Sequence, residues 1–201
     1  MKIITHNGQF HADEVVAFTI LNYIFDECTL ERSRDQKLID DSDIVIDIGK
    51  IYDPENNRFD HHQENCNELF YEKSNIPMSS VGMVYKKYGK SYLNKLLSIE
   101  SSYDSIDDNL YYEVYENLIK EIDAIDNGIK NNFYNFNINT GISRMISRFN
   151  CNDVFNEEIQ KEQFYKASNY SKNVFEIIVM ELYSKNKIFN EEYEKMTNII
   201  D

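Results

Sequence analysis

Short apolar runs alternate with helical stretches along the first half of this chain. Residues 1–5 are mostly apolar and run into His6, Asn7 and Gly8, as a buried strand entering a turn would. Over 12–28, Val16, Ala17, Ile20, Leu21, Ile24 and Phe25 recur at helical spacing, with Asp13 and Glu14 in the first turn, where the helix dipole favours negative charge. Residues 43–49 form an apolar run closed by Gly49, the pattern of a central parallel strand covered on both faces. Asp47 inside that run is an anomaly, because an unpaired carboxylate in apolar surroundings is costly. A further extended segment is expected at 50–53.

Ser79 and Ser80 can cap a helix carrying Val81, Val84, Tyr85, Tyr88, Leu93, Leu96 and Leu97, with Gly89 weakening its middle. Another helix is predicted over 111–125, with Val114, Tyr115, Leu118, Ile119 and Ile122 on one face, ending at Asp126, Asn127 and Gly128. Segments 141–149 and 157–197 read as two or three more helices. Strands early, with helices between and after them, predict an α/β fold: a parallel-sheet domain flanked by helices over 1–150, then a helical C-terminal extension over 151–201.

With 201 residues, 42% of them hydrophobic, and 15 Tyr and 12 Phe, the chain can bury a sizeable core. Its 35 acidic against 21 basic residues give a formal charge of -14, which disfavours loose binding to nucleic acid and leaves only a local basic groove for phosphate. Three cysteines without a C-x-x-C pair indicate neither a disulfide framework nor a zinc knuckle. No apolar stretch approaches the ~20 residues of a membrane span, and the start leaves no room for a signal-peptide core. These features predict an intracellular protein that engages no membrane.

All four histidines lie in two segments, HNGQFHADE over 6–14 and RFDHHQ over 58–63, each beside acidic residues at metal-ligand spacing. That pattern points to a divalent-metal hydrolase. In an open parallel sheet, ligands collect beyond the carboxyl ends of the strands. His6 closes the first strand, Asp47 stands near the end of the second, and Asp60, His61 and His62 follow the segment 50–53. Asp126 ends a helix or a short strand. Two ions held ~3.5 to 4 Å apart need a bridging carboxylate and several imidazole or carboxylate ligands, which this set supplies.

The order H-x4-H-x-D, an Asp on an apolar strand, D-H-H, then a distal D-N-G resembles the DHH phosphoesterase superfamily. More narrowly, HNGQFHADE, RD at 34–35, YDPE at 52–55, RFDHHQ, MSSVGMVY at 78–85 and EIDAIDNGI at 121–129 resemble the MYG family of metal-dependent hydrolases, associated with 3′ to 5′ RNA exonuclease activity. The resemblance runs from residue 1 to about 150. It implies metal ligands His6, His11, Asp13, Asp47, His61 and Asp126, with Asp47 bridging two ions and His62 beside the ligands or facing the scissile phosphate. Mixed imidazole and carboxylate donors suit Mn2+ better than Mg2+, which prefers oxygen. Family members continue for a further hundred or so residues into a substrate-gripping region, so the expectation is a catalytic half that acts on a short substrate, takes its grip from a partner or a second copy in a homodimer, or keeps its metals without turnover.

Asp60 either ligates directly or orients His61. Asp123 shares a helical face with Asp126, which is preferred because Asn127 and Gly128 mark a loop. Arg144 and Arg148, at i and i+4, are candidates for substrate phosphate, as are Arg34, Ser79 and Ser80; the serines serve equally as helix caps and the arginines as salt-bridge partners. Tyr103, Tyr111, Tyr112 and Tyr115 could stack on bases, but their spacing fits core packing better. The reading is a hydrolase of RNA or short oligonucleotides. Its rivals are a small-substrate phosphoesterase for pyrophosphate or cyclic dinucleotides, and a non-catalytic, metal-stabilised interaction module.

Overall fold

A computed structural model describes residues 1–26, 28–98, 106–129, 138–153 and 156–197. Five strands, β1 (Lys2–Thr5), β2 (Thr29–Arg32), β3 (Ile44–Ile46), β4 (Tyr52–Asp53) and β5 (Arg58–Phe59), form one sheet in the order β2-β1-β3-β5-β4. All pairings are parallel except β4 with β5, which is antiparallel at the edge. Helix α1 (Ala12–Phe25) connects β1 to β2, and α2 (Gln36–Asp40) connects β2 to β3.

The β-branched residues of β1 and β3 explain the centre of the sheet. Ile3, Ile44 and Ile46 pack into the main core, whereas Ile4 and Val45 point the other way and meet Ile39 of α2. Both faces are therefore covered, as an apolar run without alternation requires. Helix α1 is buried at every position from Ala12 to Leu21, which places its two acidic residues inside the protein. It ends at Phe25 rather than 28, because Asp26 takes a positive φ of 43° with an extended ψ of 145°, which leaves the helical repeat.

Helix α3 (Ser80–Leu96) packs along α1. The segment predicted over 111–125 is longer: α4 (Asp108–Val114), a π-helical turn at Tyr115–Ile119 and α5 (Lys120–Asp126) run on as one helix. The C-terminal region resolves into α6 (Ile142–Ser147) and α7 (Glu157–Thr197), a single 41-residue helix. The first part of α7 is integral to the core, burying Phe164, Ala167, Phe175 and Val179.

Three elements, β2, α2 and β5, escaped the apolar pattern. β2 and α2 are too short and too polar to leave a periodic signal. The segment that leads into Asp60 is β5 beside β3, not the extended stretch 50–53, which forms the antiparallel edge instead. The tyrosines serve packing: Tyr115 stacks on Phe70 at 3.7 Å between centroids and Tyr85 on Tyr111 at 5.1 Å, while Tyr103 lies outside the described residues. No described helix is long and apolar enough to cross a membrane.

Candidate metal centre

The carboxyl ends of β1, β3 and β5 and the N-terminus of α1 meet at the floor of a cleft of about 1050 Å³. His6 follows β1 and is buried. Its Nδ1 lies 3.0 Å from the Asn7 carbonyl, which can only accept, so Nδ1 carries a proton and the neutral ring would leave Nε2 with an open lone pair. Nε2 is 3.1 Å from Glu14 Oε1 and 3.2 Å from Asp47 Oδ2. Burial alone would depress this imidazole, but Asp47 and Glu14 hold it up at about 10.

Asp47 ends β3 with a left-handed backbone, φ 55°, a conformation that Asp tolerates better than branched residues do. The turn carries its carboxylate off the strand and into the cluster. Asp47 Oδ1 is 3.6 Å from His61 Nε2 and 3.3 Å from His62 Nδ1, and Ser80 Oγ donates to it at 3.4 Å. Although burial opposes ionisation, the histidines His6, His61 and His62 hold Asp47 well below the usual carboxylate range.

Asp60 lines the cleft and bonds to His62, not to His61 as the sequence suggested. Its Oδ1 accepts from the His62 backbone N–H at 3.1 Å and is bonded to His62 Nδ1 at 2.8 Å, while Oδ2 accepts the Lys50 N–H at 2.5 Å. The loop after β3 is thereby tied to the D-H-H segment. His62 is half exposed on the cleft, and Asp60 raises its pKa. His61 Nε2 sits 2.9 Å from Asp126 Oδ2, yet out of line for a hydrogen bond, so it remains without one. Burial would lower His61; Asp126 and Asp47 raise it to about 10.

Asp13 provides the sharpest test of whether these residues suit a metal. It is wholly buried, and neither carboxylate oxygen has a hydrogen-bond partner. Burial, then Asp47, Asp126 and Glu14, push its pKa well above the usual range. Such a group is costly to ionise unless a cation stands beside it. Donor atoms of three sets, His6 with His11, Glu14 and Asp47; Asp47 with His61 and His62; and His11 with Asp13 and Asp126, lie within 4.8 Å of one another. The donors present therefore fit divalent ions.

The remaining predicted residues divide. Arg34 and Arg144 line the cleft together with Lys50, three cations in a strongly acidic protein; Arg34 Nη1 donates to the Asn7 carbonyl and side chain. Arg148 caps the end of α6 and turns to the Asn139 carbonyl, outside the cleft lining. Ser79 and Ser80 are fully buried beneath the cluster and do not reach the cleft. Ser79 does not cap α3 with its own side chain. Asp123 does so from the neighbouring helix, its Oδ1 accepting from the N–H groups of Ser79 and Gly82 and from Ser79 Oγ, and its Oδ2 from the Tyr115 hydroxyl. Asp123 thus fixes the helix whose next turn presents Asp126. Glu14 and Lys50 were not foreseen as site residues. Adjacency to Asp13 was the available signal for Glu14, masked by the dipole explanation for first-turn acids.

Comparison with known proteins gives consistent relatives. The family model described as MYG1_exonuc, an uncharacterised protein family (UPF0160), matches residues 2–199. The MYG1 protein of Dictyostelium discoideum is 36% identical over 177 residues, covering 83% of this chain and 52% of that protein. The MYG1 exonuclease of Homo sapiens is 38% identical over 135 residues, 64% of this chain and 36% of that one. The MYG1 protein YER156C of Saccharomyces cerevisiae is 36% identical over 193 residues, 89% of this chain and 56% of its own length. The chain spans between about a third and a little over half of these relatives. No solved structure matches it significantly.

Proposed function

This chain belongs to the MYG1_exonuc family, and on that premise we propose that it is a divalent-metal-dependent phosphodiester hydrolase of the DHH type, acting on RNA or short oligonucleotides as a 3′ to 5′ exonuclease. The observation that carries the metal dependence is the Asp13 carboxylate, fully buried and unpartnered, in one donor set with His11 and Asp126, which line the cleft. The relatives named exonucleases support the reaction class.

His6, His11, Asp13, Asp47, His61 and Asp126 would hold two ions, with Mn2+ favoured and Mg2+ the alternative. Bound there, the ions supply a water of lowered pKa and stabilise charge on the phosphoryl oxygens. Asp47 lies between the two histidine segments and suits a bridging role. His62, with Nδ1 committed to Asp60, keeps its other ring nitrogen for the substrate, and the Asp60 carboxylate beside it favours the protonated form. Arg34, Lys50 and Arg144 give the cleft the local cationic surface that the rest of this acidic chain lacks. Asp60 holds His62 and the Lys50 loop in register.

The test is metal content by mass spectrometry together with turnover of single-stranded RNA, DNA, dinucleotides and pyrophosphate in Mn2+ and Mg2+. Stepwise shortening of RNA from its 3′ end is expected. Cleavage of dinucleotides or pyrophosphate alone would make it a small-substrate phosphoesterase, and bound metal without turnover would make it an interaction module.

A further inference from the structure

Local helix physics accounts for Glu14 in two ways, and neither explains its burial. As the third residue of α1 it reaches back so that Oε1 accepts the His11 N–H at 2.9 Å, a capping contact, and the dipole favours its charge. A cap contributes about 1 kcal/mol, whereas burying a carboxylate costs several. Glu14 has no exposed surface, and its Oε2 has no hydrogen-bond partner.

The contacts of Oε1 suggest what offsets that cost. It lies 3.1 Å from His6 Nε2, and the same nitrogen lies 3.2 Å from Asp47 Oδ2. Around a cation with bonds of about 2.1 to 2.2 Å at right angles, adjacent donors stand about 3 Å apart. His6 has Nδ1 engaged with the Asn7 carbonyl, so its free nitrogen faces both carboxylates. Charge leads the same way. With Glu14 included, the carboxylates of the donor sets are Asp13, Glu14, Asp47 and Asp126, whose four negative charges match two divalent cations.

We propose that Glu14 is itself a metal ligand, sharing one cation with His6 and Asp47 while its Oε1 also caps α1. This rests on the metal-dependent reading above and adds a carboxylate to the donor set. It ties the cation to the helix N-terminus, so that filling the site and fixing the start of α1 become one event.

Titration of the metal-free full chain with Mn2+, read by calorimetry and by mass spectrometry after desalting, tests it. The wild type is expected to take up two ions. Glu14→Gln should lose more than about 100-fold in affinity for one of them, because outer residues that merely orient a ligand cost about 10- to 100-fold. Its metal-free melting temperature should fall only modestly, since the pairing of Glu14 with His6 is lost while Asp47 still pairs with His6 and the Gln Oε1 still accepts the His11 N–H. A loss within the 10- to 100-fold range would overturn direct ligation in favour of an orienting role. Unchanged affinity with a lowered metal-free melting temperature would reduce Glu14 to a cap. Glu14→Asp, charged but one methylene shorter, covers the case in which the Gln variant folds poorly: loss of one ion is expected, and retention of both at wild-type affinity would overturn the proposal. A wild type that takes up no divalent ion would defeat the metal-dependent reading and the proposal together, whereas two ions in wild type and variant alike would defeat the proposal alone.

Discussion

Arg32 and Glu157, 125 residues apart, close on a single residue of the site loop, Gly8. Arg32 Nη1 pairs with Glu157 Oε2 at 3.2 Å and Nη2 donates to the Gly8 carbonyl at 2.5 Å, while the Gly8 N–H donates to Glu157 Oε1 at 2.8 Å. Two residues on, Asn150 accepts the Phe10 N–H and donates to its carbonyl, each at 2.9 Å. Gly8 has φ +87°, a conformation a side chain would strain. The loop that sets His6 against His11 is therefore held by the first residue of α7 and by the end of β2.

Glu157→Ala should loosen that loop. Because Glu157 is partly exposed, the cost to global stability is expected to be about 1 to 2 kcal/mol rather than the larger loss of a fully buried pair. The local effect should be greater, since Arg32 is left buried and unpaired. Hydrogen exchange across 6–11 should quicken by at least tenfold in the variant; exchange that quickens only in α7 would mean that Glu157 anchors the helix and not the loop.

Asp47→Asn and His61→Ala each remove a donor from the cluster and delete little core volume. Turnover should fall by about a thousandfold or more, the several kcal/mol that metal chemistry contributes, with circular dichroism unchanged. Asp47→Asn should reduce metal stoichiometry more, because Asp47 belongs to two of the donor sets. Near wild-type turnover of either variant at saturating Mn2+ would rule out the two-ion assignment.

Gly82 permits the close approach of α3 to α5. A Cβ there would stand 2.4 Å from Asp123 Oδ2, and Asp123 is fixed by its bonds to Ser79, Gly82 and Tyr115. Gly82→Ala should cost about 1 to 3 kcal/mol by overpacking. The shift should also displace Asp126, so metal affinity falls with stability. Urea denaturation with and without Mn2+ measures both.

Burial pushes Asp123 up to about 7 from an ordinary 3.8, against the donors from Ser79, Tyr115 and Gly82. The folded protein then keeps this proton up to about pH 7, while the unfolded chain releases it near pH 4. Between those values the folded state binds more protons, so this group's contribution to stability is full below pH 4 and declines as pH rises to 7. The slope cannot exceed about 1.4 kcal/mol per pH unit. Asp123→Asn should flatten the stability profile across that window relative to wild type. Parallel profiles for the two proteins would mean that Asp123 is ionised in the fold throughout.

The sequence by itself determined what local chemistry encodes. The apolar runs at 1–5 and 43–49 became β1 and β3 because β-branched residues buried on both faces leave an unbroken signal, and α1 and α3 followed from their spacing. The two histidine segments marked the site, since ligand types at fixed offsets survive in one dimension, and the family is legible in the same motifs. Short β2, β5 and α2 were not legible, because a strand of two to four residues is defined by its neighbours' hydrogen bonds and not by its own pattern. Pairing was equally a tertiary matter: which residue Asp60 orients, that Asp123 caps another helix while Asp126 meets His61, and that Arg148 turns from the cleft Arg144 lines. Glu14 shows the limit most clearly. One dimension gives a first-turn acid its dipole, but only the burial of α1 on nearly every side reveals that this charge sits where water cannot solvate it.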